Sequence, residues 1–120
     1  MASPPSLLQM LQGYLQVTQN RQQVVAANMA NVDTPGYRTK DIDFQGELAR
    51  AMQGQPADQT EPFVHEVTGL VTRPDGNNVS IDRESLLLSE VQLQFGIAEQ
   101  LLKSDFKTLQ MAITEGGASA

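Results

Sequence analysis

The chain has 120 residues, 40% of them hydrophobic, and a formal net charge of -6. That length fits one domain, and the acidic balance argues against a nucleic-acid partner, which requires a basic face. With no Cys, disulfides, thiolate catalysis and cysteine-held metals are excluded. No apolar run approaches the ~18 residues of a membrane span. The opening Met1-Ala2-Ser3-Pro4-Pro5-Ser6 lacks the basic start and apolar core of a secretory signal, so any export is expected to use a route that needs none.

Residues 7–31 are predicted to form the first helix. Leu8, Leu11, Leu15, Thr18, Gln22, Val25 and Met29 recur at spacings of three and four, the period of one helical face. Pro4 and Pro5 with Ser6 make a suitable start, and Ser6 can cap it. Arg21 is the sole charged side chain from Leu7 to Asn31, and the polar positions are held by Gln9, Gln12, Gln16, Gln19, Gln22, Gln23, Asn20 and Asn28. Neutral amides are cheaper to desolvate than charges. Although Gln is also a good uncharged helix former, the helix is expected to be enclosed by other subunits.

The helix then stops abruptly. Asn31 suits the left-handed conformation that closes a helix. Thr34 precedes a proline and is pushed out of helical space. Pro35 and Gly36 match the centre of a type II turn, Asp33 can bond nearby backbone N–H groups, and Tyr37 offers a large ring to fasten the emerging chain. Ile42 and Phe44 alternate with Asp41 and Asp43, which places one pair inward and the acids in water.

The span 32–81 reads as an extended, loop-rich middle. A short helical turn is predicted at 47–52 and brief strands at 63–67 and 70–72. Asp75-Gly76, within Arg73 to Asn78, is a hairpin-type turn signal.

A second helix is predicted over 82–113. Its stripe is Leu88, Val91, Phe95, Ala98, Leu102, Phe106, Leu109 and Ile113, widened by Leu87, Ile97 and Leu101. Asp82 is the predicted N-cap, Glu84 favours the positive end of the helix dipole, and Gly116-Gly117 is the predicted stop. The fold class is therefore mainly α. Two long terminal helices form a coiled-coil-like hairpin around a middle containing short strands or a β-hairpin, all within one domain. The second helix is apolar on more than one side, which a two-helix layer leaves wet unless another chain covers it.

Ala27-Asn28, Ala30-Asn31 and Thr34-Pro35-Gly36-Tyr37 together resemble the A-N-x-x-N-x-x-T-P-G-Y signature near the N-terminus of bacterial flagellar axial proteins, the rod and hook subunits. The following Tyr37 to Phe44, with Asp41, Asp43 and Phe44, is similar to the version in the proximal-rod branch. A second block, Asp75, Gly76, Asn77, Asn78 and Val79, also resembles that branch. The likeness covers about residues 7–50 and 73–113. Met29 stands where Ile is usual, and the span 51–72 is shorter than in relatives.

The resemblance implies a structural subunit of the flagellar basal-body proximal rod. It implies export by the flagellar type III apparatus without a cleaved signal, and assembly in the periplasm into a helical tube whose terminal helices line the inner core. The implied partners are copies of itself, other rod subunits and, at the rod base, the FliE adapter and the export gate. No nucleic acid, membrane span, cofactor or metal is implied.

An enzyme has little material here. His65 is the one histidine, in a predicted strand. Asp41 and Asp43 at alternate strand positions read as a solvated face rather than a Mg²⁺ site. Asp75-Gly76-Asn77-Asn78 lacks the spaced acids and closing Glu of a calcium loop. The alternative function is a soluble helical-hairpin adapter or export chaperone, which shares the amphipathic stripes but has no need of the Pro35-Gly36 turn between flanking asparagines.

Overall fold

A computed structural model describes residues 4, 6–53 and 63–118 of the chain. Pro5 and the stretch 54–62, which belongs to the predicted loop-rich middle, lie outside the described residues. The elements in chain order are α1 (Leu7–Ala30), β1 (Lys40–Ile42), α2 (Phe44–Met52), β2 (Val64–Glu66) and α3 (Ile81–Ala118).

The start of α1 is a reciprocal cap. The Ser6 hydroxyl accepts the Gln9 N–H at 3.1 Å, and the Gln9 amide oxygen accepts the Ser6 N–H at 2.9 Å. Each satisfies a donor that the first turn leaves without a partner. The inward face of α1 is rotated from the predicted stripe. Leu11, Val17, Thr18, Val25 and Asn28 are buried, whereas Gln22 is exposed.

The end of α1 departs from the left-handed closure predicted at Asn31. Asn31 has φ -105° and ψ 19°, and its side-chain amide donates to the Ala27 carbonyl at 2.7 Å. The Ala27 carbonyl also accepts the Asn31 N–H at 3.1 Å, and the Val32 N–H donates to the Met29 carbonyl at 3.3 Å, so the last carbonyls find partners without a left-handed residue. The turn that follows is as expected: Gly36 has φ 75°, and the Tyr37 N–H donates to the Thr34 carbonyl at 3.2 Å.

α2 is a full nine-residue helix rather than a single turn, capped by the Asp43 carboxylate, which accepts the Gly46 N–H at 3.2 Å. It crosses α1 closely at Gly13: a Cβ built there would lie 2.8 Å from that of Ala51. This contact explains a glycine within a helix, where it is otherwise unfavourable by ~1 kcal/mol. Val17, Ile42 and Ala51 form the small core below the crossing, with Val24 and Phe44 against them. Tyr14 meets Phe44 edge to face, centroids 6.2 Å apart.

β1 and β2 pair antiparallel with Lys40 opposite Glu66, Asp41 opposite His65 and Ile42 opposite Val64. No strand forms at 70–72, and Asp75-Gly76 does not join two strands. Its turn packs instead against the exit of α1, which withdraws those residues from any ladder.

α3 has 38 residues and spans about 57 Å; α1 spans about 36 Å. The two pack against each other as a hairpin, the last turn of α1 against the first of α3. Beyond the start of α1, α3 continues without a helical partner. The molecule is accordingly elongated, 73 × 32 × 18 Å. α3 begins at Ile81, with the Ser80 hydroxyl accepting the Arg83 N–H at 3.2 Å, so Ser80 occupies the cap position and Asp82 lies in the first turn. Gly116-Gly117 does not stop the helix, which runs on to Ala118. Neither glycine takes the positive φ that an αL stop requires.

Candidate functional site

The two blocks that carry the flagellar signature meet in space at the closed end of the hairpin. The Gly36 N–H donates to the Asp75 carbonyl at 2.9 Å, and the Asn78 N–H to the Tyr37 carbonyl at 3.3 Å. Gly76, φ 86°, is in turn so close that an added Cβ would lie 3.3 Å from the Gly36 Cα. Asn77 reaches across with its amide to the carbonyls of Asn31 (2.9 Å) and Thr34 (2.8 Å). Its own oxygen accepts the Val79 N–H at 2.8 Å. Arg73 donates to the carbonyls of Val32 and Val79. One loop thereby gives partners to the Gly36 N–H and the Val32 carbonyl of the other, and adds a second bond to the carbonyls of Asn31 and Thr34, which already accept the Thr34 and Tyr37 N–H groups.

Asn28 is the pivot beneath these turns, fully buried in the last turns of α1. Its amide nitrogen donates to the Lys40 carbonyl at 2.7 Å and to Glu84 Oε2 at 3.1 Å. Its oxygen accepts from the Tyr37 hydroxyl at 3.0 Å and from the Lys40 N–H at 3.1 Å. Every hydrogen-bonding capacity of the side chain is used, two donors and two lone pairs. The Lys40 bonds also occupy the edge of β1 that faces away from β2, so a side chain stands where a third strand would pair. Beside it, Thr39 is clasped by Asn78: its N–H donates to Asn78 Oδ1 at 2.6 Å, and its hydroxyl to the Asn78 carbonyl at 3.1 Å.

The charges form a closed, neutral set. Asp41 accepts two bonds from Arg21, at 3.2 and 3.1 Å, one from Arg83 at 3.0 Å and the Ile42 N–H at 2.8 Å. Arg83 also pairs with the buried Glu84 at 2.6 Å. Two buried carboxylates are thus offset by two half-buried guanidiniums, a condition for retaining buried ions. Burial alone pushes the Asp41 carboxyl up. The hydrogen bond and charge of Arg21, with the Ile42 N–H and Arg83, outweigh burial and hold it below the ordinary carboxylate range. The Tyr37 hydroxyl is shifted upward, by burial first and by the negative charge of Glu84 second.

The structure corrects one reading of the sequence here. Asp41 is not on a wet side of an alternating strand; it is buried between two helices, and only Asp43 stays exposed, as the cap of α2. The alternation misleads because β1 is sandwiched between β2 and α1. Among the signature residues, Asn28 and Asp41 are buried, Asn31, Tyr37 and Phe44 half-buried, and Ala27, Ala30, Thr34, Pro35 and Gly36 exposed. Arg21, Arg73, Arg83 and Glu84 complete the junction without having been singled out for it. Arg21 did carry a signal: a solitary charge in an otherwise neutral helix has a partner to meet.

The stripe predicted for the second helix divides along its length. Val91 and Ala98 are buried against α1, Leu88, Phe95 and Leu102 half-buried, and Phe106, Leu109 and Ile113 exposed beyond the end of α1. Among the described residues, no three His, Cys, Asp or Glu side chains cluster in a way that could hold a metal, and none of the helices is long and apolar enough to cross a membrane. The arrangement joins elements and leaves apolar helix surface uncovered.

The sequence pattern of a family described as "Flagella basal body rod protein" matches residues 8–38, the span from α1 through the Pro35-Gly36 turn. The chain is similar to the flagellar basal body rod protein FlgB of Escherichia coli (strain K12), with 32% identity across 91% of this chain and 94% of that protein. It is similar to FlgB of Salmonella typhimurium at 32% identity, across 92% and 94% of the two chains. FlgB of Borrelia hermsii is 31% identical over 83% of this chain and 90% of its own.

Proposed function

This chain belongs to the FlgB family of flagellar basal body rod proteins, and we propose that it builds the proximal rod, packing among copies of itself and other rod subunits. Its role is structural and not enzymatic. The observation that carries the assembly reading is the similarity to FlgB over nearly the whole length of both chains. The uncovered apolar surface of α3 supports it, since Leu86, Leu93, Phe106, Leu109 and Ile113 are all more than half exposed in the single chain. Exposed apolar rows of that kind are characteristic of surfaces that another chain covers.

The same reading extends to the base of the rod. There the subunit meets the FliE adapter and the export gate, after passage through the flagellar type III apparatus into the periplasm. The shared signature and family membership support these finer statements. The adapter or chaperone alternative draws no support from relatives that are rod proteins across nine-tenths of the chain.

Deletion of the gene and complementation test the proposal. Loss of flagella and of isolable rods, restored by this chain, is the expected result. Intact basal bodies with rods in the deletion strain would overturn it.

A further inference from the structure

Two stretches of the middle region hold backbone groups without partners among the described residues. The first is the outer edge of the small sheet. The Val67 N–H donates to the Thr39 carbonyl at 2.9 Å, and His65 stands opposite Asp41. Successive residues of an antiparallel pair turn their N–H and C=O groups to alternate edges. Val67 and His65 therefore address β1, and Val64 and Glu66 address the outer edge, just as Lys40 on β1 turns outward to Asn28. Among the described residues, the sole bond at that outer edge of β2 joins the His65 ring and the Glu66 carbonyl, 3.1 Å apart.

All three residues of β2 are exposed, and Phe63 beside it is 70% exposed. Open sheet edges are ordinarily blunted, because they invite another strand. Asn28 blunts the edge of β1, whereas no described residue covers that of β2. The second stretch is Leu70-Val71-Thr72. Its composition suits a strand, yet it joins no ladder, and its backbone makes no hydrogen bond among the described residues. Val71 is 88% exposed. The Thr72 hydroxyl accepts from Arg38 at 3.1 Å, and the Arg73 N–H donates to the Asn77 carbonyl at 2.8 Å. These bonds tie the stretch to the turn at Asp75-Gly76 instead of to its own β2.

We propose that the open edge of β2 is covered by residues 70–72 of a second copy of this chain, added as an antiparallel third strand; this rests on the rod reading above. The occupant follows from what each stretch lacks. β2 offers N–H and C=O groups at Val64 and Glu66, and the incoming stretch offers the same groups at Leu70 and Thr72. The matching register sets Thr72 opposite Val64, Val71 opposite His65 and Leu70 opposite Glu66. Two β-branched side chains, Thr72 and Val64, then lie side by side, a favourable cross-strand pair. Pairing β2 with β2 of another copy would instead set His65 against His65 and leave both 70–72 stretches uncovered. The two surfaces differ, so their contact is heterologous. It belongs to the middle of the chain and involves neither long helix.

The Cys-free chain permits a direct test. His65→Cys and Val71→Cys are made as separate full-length variants, one of them carrying a tag that changes its mass, and are expressed together in a deletion strain. In the proposed register these two residues form a pair not joined by hydrogen bonds, with Cα atoms about 4.5 Å apart, within reach of a disulfide. Mild oxidation of isolated basal bodies is expected to join tagged to untagged chain, and each variant expressed alone should give no cross-link. Dimer from His65→Cys alone shows β2 against β2 and overturns the pairing. Rods that contain both variants but no mixed product also overturn it, while leaving the rod role standing. Rods built when neither variant is expressed reject the rod role itself.

Discussion

Asn28 donates to Glu84 across 3.1 Å, and through that bond the last turn of α1 is fixed to the first turn of α3. The two residues stand 56 apart in the chain and are both fully buried. The same Asn28 holds the backbone of Lys40 and the hydroxyl of Tyr37, so one side chain sets the position of both helices and the strand between them.

Asn28→Leu removes this anchor and takes their Asn28 partner from Glu84 Oε2 and from the N–H and carbonyl of Lys40, while Arg83 still pairs with Glu84 Oε1. Each buried group left unsatisfied costs about 1–3 kcal/mol. The expected loss in urea-unfolding free energy is about 3 kcal/mol or more. A loss under ~1 kcal/mol would show that the junction is not what holds the hairpin closed.

Asp41→Asn is expected to destabilise the chain by about 3–5 kcal/mol, because Arg21 and Arg83 lose the anion that offsets them. The acid limb also changes. The folded carboxyl of Asp41 titrates below its unfolded value of about 3.9. Its contribution is therefore fully present above that value and fades as pH falls from there through the lower folded pKa. Unfolding free energy measured between pH 5 and pH 2 should fall less steeply in the variant than in the natural chain.

Gly36 and Gly76 both hold positive φ, but their surroundings differ. At Gly36 an added Cβ meets nothing within 4 Å, so Gly36→Ala is strained in the backbone alone, by about 1–2 kcal/mol. Gly76→Ala carries the same strain and also presses on the Gly36 Cα. Thermal melts should rank Gly76→Ala below Gly36→Ala. Gly36→Val, whose β-branch tolerates positive φ still less, is expected to abolish swimming while leaving the protein expressed.

Gly13→Ala and Gly96→Ala are expected to shift stability in opposite directions. Alanine favours a helix over glycine by up to ~1 kcal/mol. At Gly96 that gain is unopposed, and the melting temperature should rise. At Gly13 the new Cβ meets Ala51 at 2.8 Å, α2 must move, and the melting temperature should fall.

Truncation after Asp105 removes Phe106, Leu109 and Ile113, which touch little within the chain. Melting should be nearly unchanged, while incorporation into rods is lost. A truncated chain that still supports normal basal bodies would remove the assembly role from this end of α3.

The sequence by itself determined the two long helices, the Ser6 start, the Pro35-Gly36 turn, the strand at 63–67, and a family signature specific enough to point to the rod. These are legible because they depend on local physics: a repeat of 3.6, a capping oxygen, a fixed φ at Pro35 and a positive one at Gly36. Only the tertiary structure decided that Asp41 is buried, that Arg21, Arg83 and Glu84 neutralise the junction with it, and that the turn at Asp75-Gly76 braces the exit of α1 instead of joining strands. Those outcomes depend on which distant groups meet. A carboxylate at an alternating position is the same residue whether water or two guanidiniums face it, and a partner such as Arg83, 42 residues away, leaves no trace in the local pattern.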